Sequence, residues 1–468
     1  MVGKVIPDGD REAMKEENDE LRGLLSAAPK WTRRQPSGRG QQLASHSFRA
    51  ASTKPLKQHW RILLAAAILV ALLSACALAP ISHLDRAIRA RTSNATIEII
   101  DSLGDVGKEN SMAVDSNNNI HIAYSDNTKE LLKYAVNEGG SWVTSIADST
   151  GRPTGDPSLA VDSNNKVHIS YYDVTNYDLK YATNVGGSWT NCTLDSTGWV
   201  GFFSSVAVDS HNKIHISYID YTNDALKYAT NAGGTWSTCF IDNKILEGFP
   251  PYWRNAGALY TSIAIDSNDK IHISYMTSST ADLRYATNAG GSWTNCTVDS
   301  EGYTGHCSSI ALDSHDKVHI SYYDETSGNL KYATNAGGSW TNCSIDKIGS
   351  LSTWTSIAVD SNDHIHISYY TITNGDLRYA TNAGGSWATT AVESVGDVSA
   401  DLAHTSVVVD HLDIVHISYY NYANGDLKYA TIAAEIPEFD EGGLPFIVMA
   451  MASTLIVLGR RDSLLRTK

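Results

Sequence analysis

The chain has 468 residues, 42% of them hydrophobic and 9% aromatic, so it can bury a large core. Its net charge of −15 is uneven: +7 over residues 1–91 and +1 over 440–468 leave −23 for 92–439. An acidic body of that kind lacks the basic groove that nucleic acid requires, which excludes that class of partner.

Residues 1–60 are polar, acidic first (Asp8 to Glu20) and basic later (Lys30 to Lys57), and read as a disordered region. Residues 61–81 hold the apolar run RILLAAAILVALLSACALAP, either a signal peptide or an uncleaved anchor. Ala77-Leu78-Ala79 speaks for cleavage. A leader of some 60 residues speaks for an anchor.

From residue 92 to 435 the chain repeats. An Asp in a V-D-S element falls at Asp115, Asp162, Asp209, Asp266, Asp313, Asp360 and Asp410, at intervals of 47, 47, 57, 47, 47 and 50 residues. One unit, SLAVDSNNKVHISYYDVTNYDLKYATNVGGSWTNCTLD, reads as four strands separated by turn residues. Four antiparallel strands in about 45 residues is a propeller blade. Seven copies carry the first three strands, but only six carry the GG(S/T)W fourth strand. Residues 96–102, TIEIIDS, match the end of that strand. The expectation is an all-β, seven-bladed β-propeller whose ring is closed by an N-terminal strand, with transmembrane segments at the termini.

The turn before each Trp reads Ala-x-Asn-x-Gly-x-x-Trp, ending at Trp142, Trp189, Trp236, Trp293, Trp340 and Trp387. It resembles the Asp-box of sialidase-type propellers, Ser-x-Asp-x-Gly-x-x-Trp, with Ala for Ser and Asn for Asp throughout. In that superfamily the box stabilises the fold, away from the ligand face. Sialidases also bring three arginines to the pore. Here the propeller has Arg152, Arg254, Arg284 and Arg378, and two of these stand where other blades have Lys, so no such triad assembles. The resemblance supports the fold and leaves the chain without expected catalytic residues.

Seven histidines, His121 to His416, recur on the second strand and read as hydrogen-bonding struts to a neighbouring Asp or Ser rather than metal ligands. Neither a metal nor a cofactor is expected. Cys192, Cys239, Cys296 and Cys343 recur on the fourth strand and read as small buried apolar residues. Sequons place candidate glycosylation at Asn94, Asn191, Asn295 and Asn342.

Function in a repeat architecture resides where the repeat breaks. The connections between blades break it, above all 243–261, with Phe249, Tyr252, Trp253, Arg254 and Tyr260. Equivalent loops add Trp199, Phe202, Phe203, Tyr303, His306, Trp354 and His404. All should emerge around one channel mouth. The expected ligand-binding residues are Trp199, Phe203, Tyr252, Trp253, Arg254, Tyr303 and Trp354, since flat rings stack on sugars or anchor a protein interface. The bland reading is that these aromatics fold inward as loop cores.

Residues 436–468 hold Ile436-Pro437-Glu438-Phe439, an acidic spacer, an apolar run and Arg460-Arg461. They resemble the PEF-type C-terminal sorting signals of archaeal surface proteins. The sequence therefore reads as a membrane-anchored propeller on the extracellular side, binding a glycan or protein ligand without enzymatic action. The alternatives are a hydrolase or lyase of surface polysaccharide and a structural envelope protein.

Overall fold

The computed structural model describes residues 95–432, apart from 154, 244, 246–259, 279, 350–353, 372–373 and 397–403. The expected disordered region, both apolar termini, Asn94, Tyr252, Trp253 and Arg254 lie outside the described residues. Among the described residues no helix is long and apolar enough to cross a membrane.

The described residues form 28 strands in seven four-stranded antiparallel sheets. In blade 1 the strands are Val106–Val114, Ile120–Asp126, Leu131–Glu138 and Ser141–Asp148. In blade 2 they are Gly155–Val161, Val167–Asp173, Asp178–Thr183 and Thr190–Asp195. Blades 3 to 6 repeat the order. Blade 7 consists of Thr405–Val409, Val415–Asn421, Asp426–Ile432 and, from the other end of the chain, Ala95–Asp101, which pairs antiparallel with Asp426–Ile432. The closure expected from the strand count is present.

A blade cannot bury its own faces, so the cores sit between blades. Seven apolar clusters fill the seven interfaces; one joins Leu179 and Tyr181 of blade 2 to Val206, Ile214 and Tyr218 of blade 3. At the rim each Trp of the fourth strand meets, edge to face, the third-strand Tyr of the preceding blade, as Trp189 does Tyr134 and Trp142 does Tyr429.

Polar ties also run around the whole ring. A carboxylate of each fourth strand receives the Tyr hydroxyl and the Lys or Arg of the next blade. Asp148, for instance, takes Tyr171 at 2.6 Å and Lys180 at 2.8 Å. Glu393 takes Lys428 at 2.7 Å, and Arg284 and Arg378 lie 3.7 and 3.2 Å from Asp242 and Asp346. Both arginines therefore do the work of the lysines they replace. The histidines form Asp–His–Tyr sets: His168 binds Tyr181 through Nδ1 and faces Asp162 through Nε2, and the His–Asp distance is 3.1–3.4 Å in all seven blades. The struts expected from sequence thus reach an Asp, and a Tyr as well.

One expectation fails. Cys192, Cys239, Cys296 and Cys343 are exposed. Their apolar character suggested burial, but the fourth strand is the outer rim of each blade, and the residues around each Cys face solvent. Asn191, Asn295 and Asn342 share that exposed strand; Asn191 donates its amide to Asp148, and Asn295 accepts from Arg284.

Close approach of inner strands to the preceding blade depends on glycine. Gly201 has φ +97°, and a Cβ there would lie 2.6 Å from the Leu179 Cα, a backbone atom that cannot yield. Gly201→Ala is expected to cost roughly 2–5 kcal/mol, from backbone strain and overlap together, read as a lowered denaturation midpoint at unchanged m-value.

Candidate functional site: the channel mouth

The first strand of every blade lines the central channel. Four residues before the repeat Asp, every blade carries Ser: Ser111, Ser158, Ser205, Ser262, Ser309, Ser356 and Ser406. Each Ser Oγ accepts the backbone N–H of the next blade's first strand, from Leu159 onto Ser111 round to Met112 onto Ser406, at 3.0–3.3 Å. The ring of seven bonds closes on itself. These serines form the floor of a cavity of about 110 Å³.

One residue further up, a hydroxyl or amide ties each blade to the second strand of the blade before, such as Ser204 to Ser170 and Asn110 to Ser418. Blades 1 and 2 depart together: Ala123 and Pro157 occupy the two partner positions. Loss of both polar groups at once leaves nothing buried and unpaired.

Six residues before the repeat Asp, the repeat breaks completely. The column reads Glu109, Asp156, Phe203, Tyr260, Cys307, Trp354 and His404. Bulges in the first strands of blades 2, 3 and 5 put Asp156, Phe203 and Cys307 at φ of 41°, 52° and 50°, a left-handed backbone that re-aims the side chain. Phe203, Tyr260 and Trp354 make one arc of the cavity wall; ring centroids are 4.3 Å apart for Phe203–Tyr260 and 3.9 Å for Tyr260–Trp354. Trp354 continues onto the His404 ring at 3.4 Å, and His404 Nε2 lies 3.2 Å from the Asp156 carboxylate. Cys307 is small and fully buried, so Tyr260 and Trp354 meet across blade 5.

Glu109 turns away from the cavity and accepts from Ser125 and Asn127. Burial raises its carboxyl pKa, with Asp156 adding to the rise while His404, Ser125 and Lys108 oppose it. Burial likewise pushes the Tyr260 hydroxyl and the Cys307 thiol well above their ordinary values, so both stay protonated at neutral pH. Cys307 is therefore no thiolate nucleophile.

The structure brings Phe203 and Trp354 together at the mouth, half-buried. Trp199 and Tyr303 stand further out on the same face, 44% and 62% exposed, and Trp199 stacks on Tyr177 at 5.1 Å. Tyr260 and His404, read from sequence as loop residues, are buried parts of the wall. Asp156 and the serine floor are the residues that sequence reasoning missed. The signal was available: one column is invariant, and another, two residues away, differs in every copy.

On the opposite face, His211 and His315 pair with Asp269 and Asp363 of the next blade at 3.0 and 3.2 Å, next to Asp209 and Asp313. These contacts belong to a second ring, in which each turn Ser donates to the following blade's turn Asn or Asp, as Ser314 does to Asp363 at 2.8 Å.

No family model matches the chain, and no curated protein sequence matches it. Solved structures do. An ulvan lyase, described as a new polysaccharide lyase family, is 13% identical with TM-score 0.46, over 71% of this chain and 95% of that one. The Aleuria aurantia lectin is 12% identical with TM-score 0.42, over 62% and 97%. The intramolecular trans-sialidase from Ruminococcus gnavus is 11% identical with TM-score 0.37, over 75% and 100%. The likeness is of fold alone.

Proposed function

We propose that the chain is a non-enzymatic binding module that takes a glycan end-on at the channel mouth. The observation that carries this reading is the variable column itself. Seven equivalent positions give one aromatic arc and one polar pair, Asp156–His404, over a floor of hydroxyls. Aromatic faces pack against the apolar faces of sugars, and fixed polar groups select hydroxyls and orientation. A cavity of 110 Å³ is below the roughly 300 Å³ of ordinary small-molecule sites, so one end group enters and the rest of the ligand lies across the face. Tyr252, Trp253 and Arg254, which precede Tyr260 in sequence, are proposed to contribute contacts to the same ligand. The apolar segments at 61–81 and 436–468, the latter as a PEF-type signal, hold the propeller at a membrane on its extracellular side. The Ala-x-Asn-x-Gly-x-x-Trp turn is a degenerate Asp-box that serves the fold.

The test is a glycan array probed with the full chain in detergent, beside Trp354→Ala. Saturable binding that weakens at least tenfold in the variant supports the mouth; equal binding by both proteins moves the site elsewhere. A second reading has one observation in its favour: burial raises the Glu109 carboxyl, with Asp156 adding to the rise, and two carboxyl groups of unequal acidity are what a polysaccharide hydrolase needs, although Glu109 would have to turn toward the cavity. Release of shortened fragments from a bound glycan would establish it over the binding module.

A further inference from the structure

We propose that the group seated in the mouth is an ammonium, and that the ligand is a glycan ending in an unacetylated amino sugar. This rests on the mouth being the binding site and goes on to name the chemistry it selects. A cavity of 110 Å³ is smaller than the ~150 Å³ that holds a benzene ring, so a substituent of a few heavy atoms enters and a whole pyranose does not.

The wall suits a cation. Phe203, Tyr260 and Trp354 line the cavity, and aromatic rings attract ammonium groups once water is displaced. Asp156 places a carboxylate in the same wall, and its neighbour His404 is buried and stacked on Trp354. His404 Nε2 faces one oxygen of the Asp156 carboxylate, Oδ1, and the second oxygen is the acceptor for an entering cation. Burial lets Glu109 carry a proton more readily than an exposed carboxylate does, with Lys108 and His404 opposing that rise. The floor agrees with the wall. Each serine Oγ already accepts one backbone N–H and keeps a second lone pair, whereas an ammonium brings three donors and no acceptor. The propeller's charge of −23 adds a long-range field of the same sign. The exposed rings of Trp199 and Tyr303 on the same face offer platforms for further sugar rings, which favours a glycan over a lysine side chain.

The experiment compares a tetramer of β-1,4-linked glucosamine with the same tetramer fully N-acetylated, by calorimetric titration of the full chain in detergent. The amine form is expected to bind at least tenfold more tightly, and the gap should narrow as salt rises. Asp156→Asn keeps the left-handed backbone, which Asn accepts, and should abolish the preference. Acetylated tetramer binding as tightly as the amine form overturns the ammonium while leaving a glycan mouth. A trimethyllysine peptide binding more tightly than the amine tetramer overturns the glycan. Failure of both tetramers on folded wild-type protein overturns the inference, and the array then decides whether the mouth falls with it. The wild-type comparison stands even if the variant does not fold.

Discussion

Lowering the pH from 7.5 to 5 is expected to destabilise the propeller, with stability falling from about pH 6.5 downward. The cause is the ring of second-strand histidines. Burial lowers the pKa of His121, His168, His215, His272, His319, His366 and His416 below the ordinary 6.5, and the facing Asp opposes but does not reverse it. A group depressed in the folded state stabilises fully above its unfolded pKa, and that stability is lost as pH falls toward the folded value. Each histidine that gains a proton only on unfolding gives a slope of about 1.4 kcal/mol per pH unit. Seven shifts of the same sign add, with roughly 10 kcal/mol per unit as the upper bound of the summed slope, so even a part of it is large against a typical total stability of about 5–15 kcal/mol. His306, buried and lowered to about 4, adds to the same slope.

The carboxylates titrate in a separate window. Burial alone would raise Asp195, but Lys227, Thr197 and Tyr218 bring it down to about 2. Its contribution is present above pH ~4 and disappears only between 4 and 2. Calorimetric Tm measured from pH 8 to 4.5 separates the two. A steep fall between 6.5 and 5, with several protons taken up on unfolding, is the expected result. A flat Tm down to pH 4.5 would mean that the Asp partners cancel the effect of burial, and a rising Tm that they hold the histidines charged.

Much of this molecule was legible because it is written seven times. Asp115 to Asp410 gave the blades, and the count of Trp strands against Tyr strands gave the closing segment. The mouth was only half legible. Phe203 and Trp354 stand out as aromatics in loops, whereas Asp156 carries no such mark. Its role emerges when the copies are superposed on the repeat Asp, and then only because a bulge at φ 41° aims it at the channel. The serine ring was hidden for the opposite reason. An invariant Ser looks like any turn-prone residue until the neighbouring blade supplies the N–H that it accepts. The cysteines misled because residue type was taken for burial, whereas position on the fourth strand decides it.

Removal of 95–101 is expected to abolish the stable monomer. The deletion uncovers the outer edge of Asp426–Ile432, a row of unpaired backbone groups open to aggregation. It also strips Asp101 from Tyr124 and Lys133, which are buried at the boundary between blades 7 and 1. A point variant isolates that second term. Asp101→Asn leaves the Lys133 ammonium buried beside Asp126, now its nearest carboxylate at 3.8 Å, and should cost about 3 kcal/mol. The equivalent Asp242→Asn in blade 3 removes the partner of Arg284, whose side chain is 25% exposed and 3.7 Å away. Water screens that pair, so about 1 kcal/mol is expected. Urea midpoints of the two variants make the comparison. A larger loss at Asp101 is the expected result and shows that the buried Lys133 ammonium sets the cost, whereas equal losses would show that water screens it as it does Arg284. Asp148→Asn, which leaves Lys180 equally buried on a strand with its connecting turn, then isolates the seam: a loss smaller than at Asp101 makes the closing strand the weakest point of the ring, since it is the one strand joined to its blade by hydrogen bonds and side chains without a connecting turn.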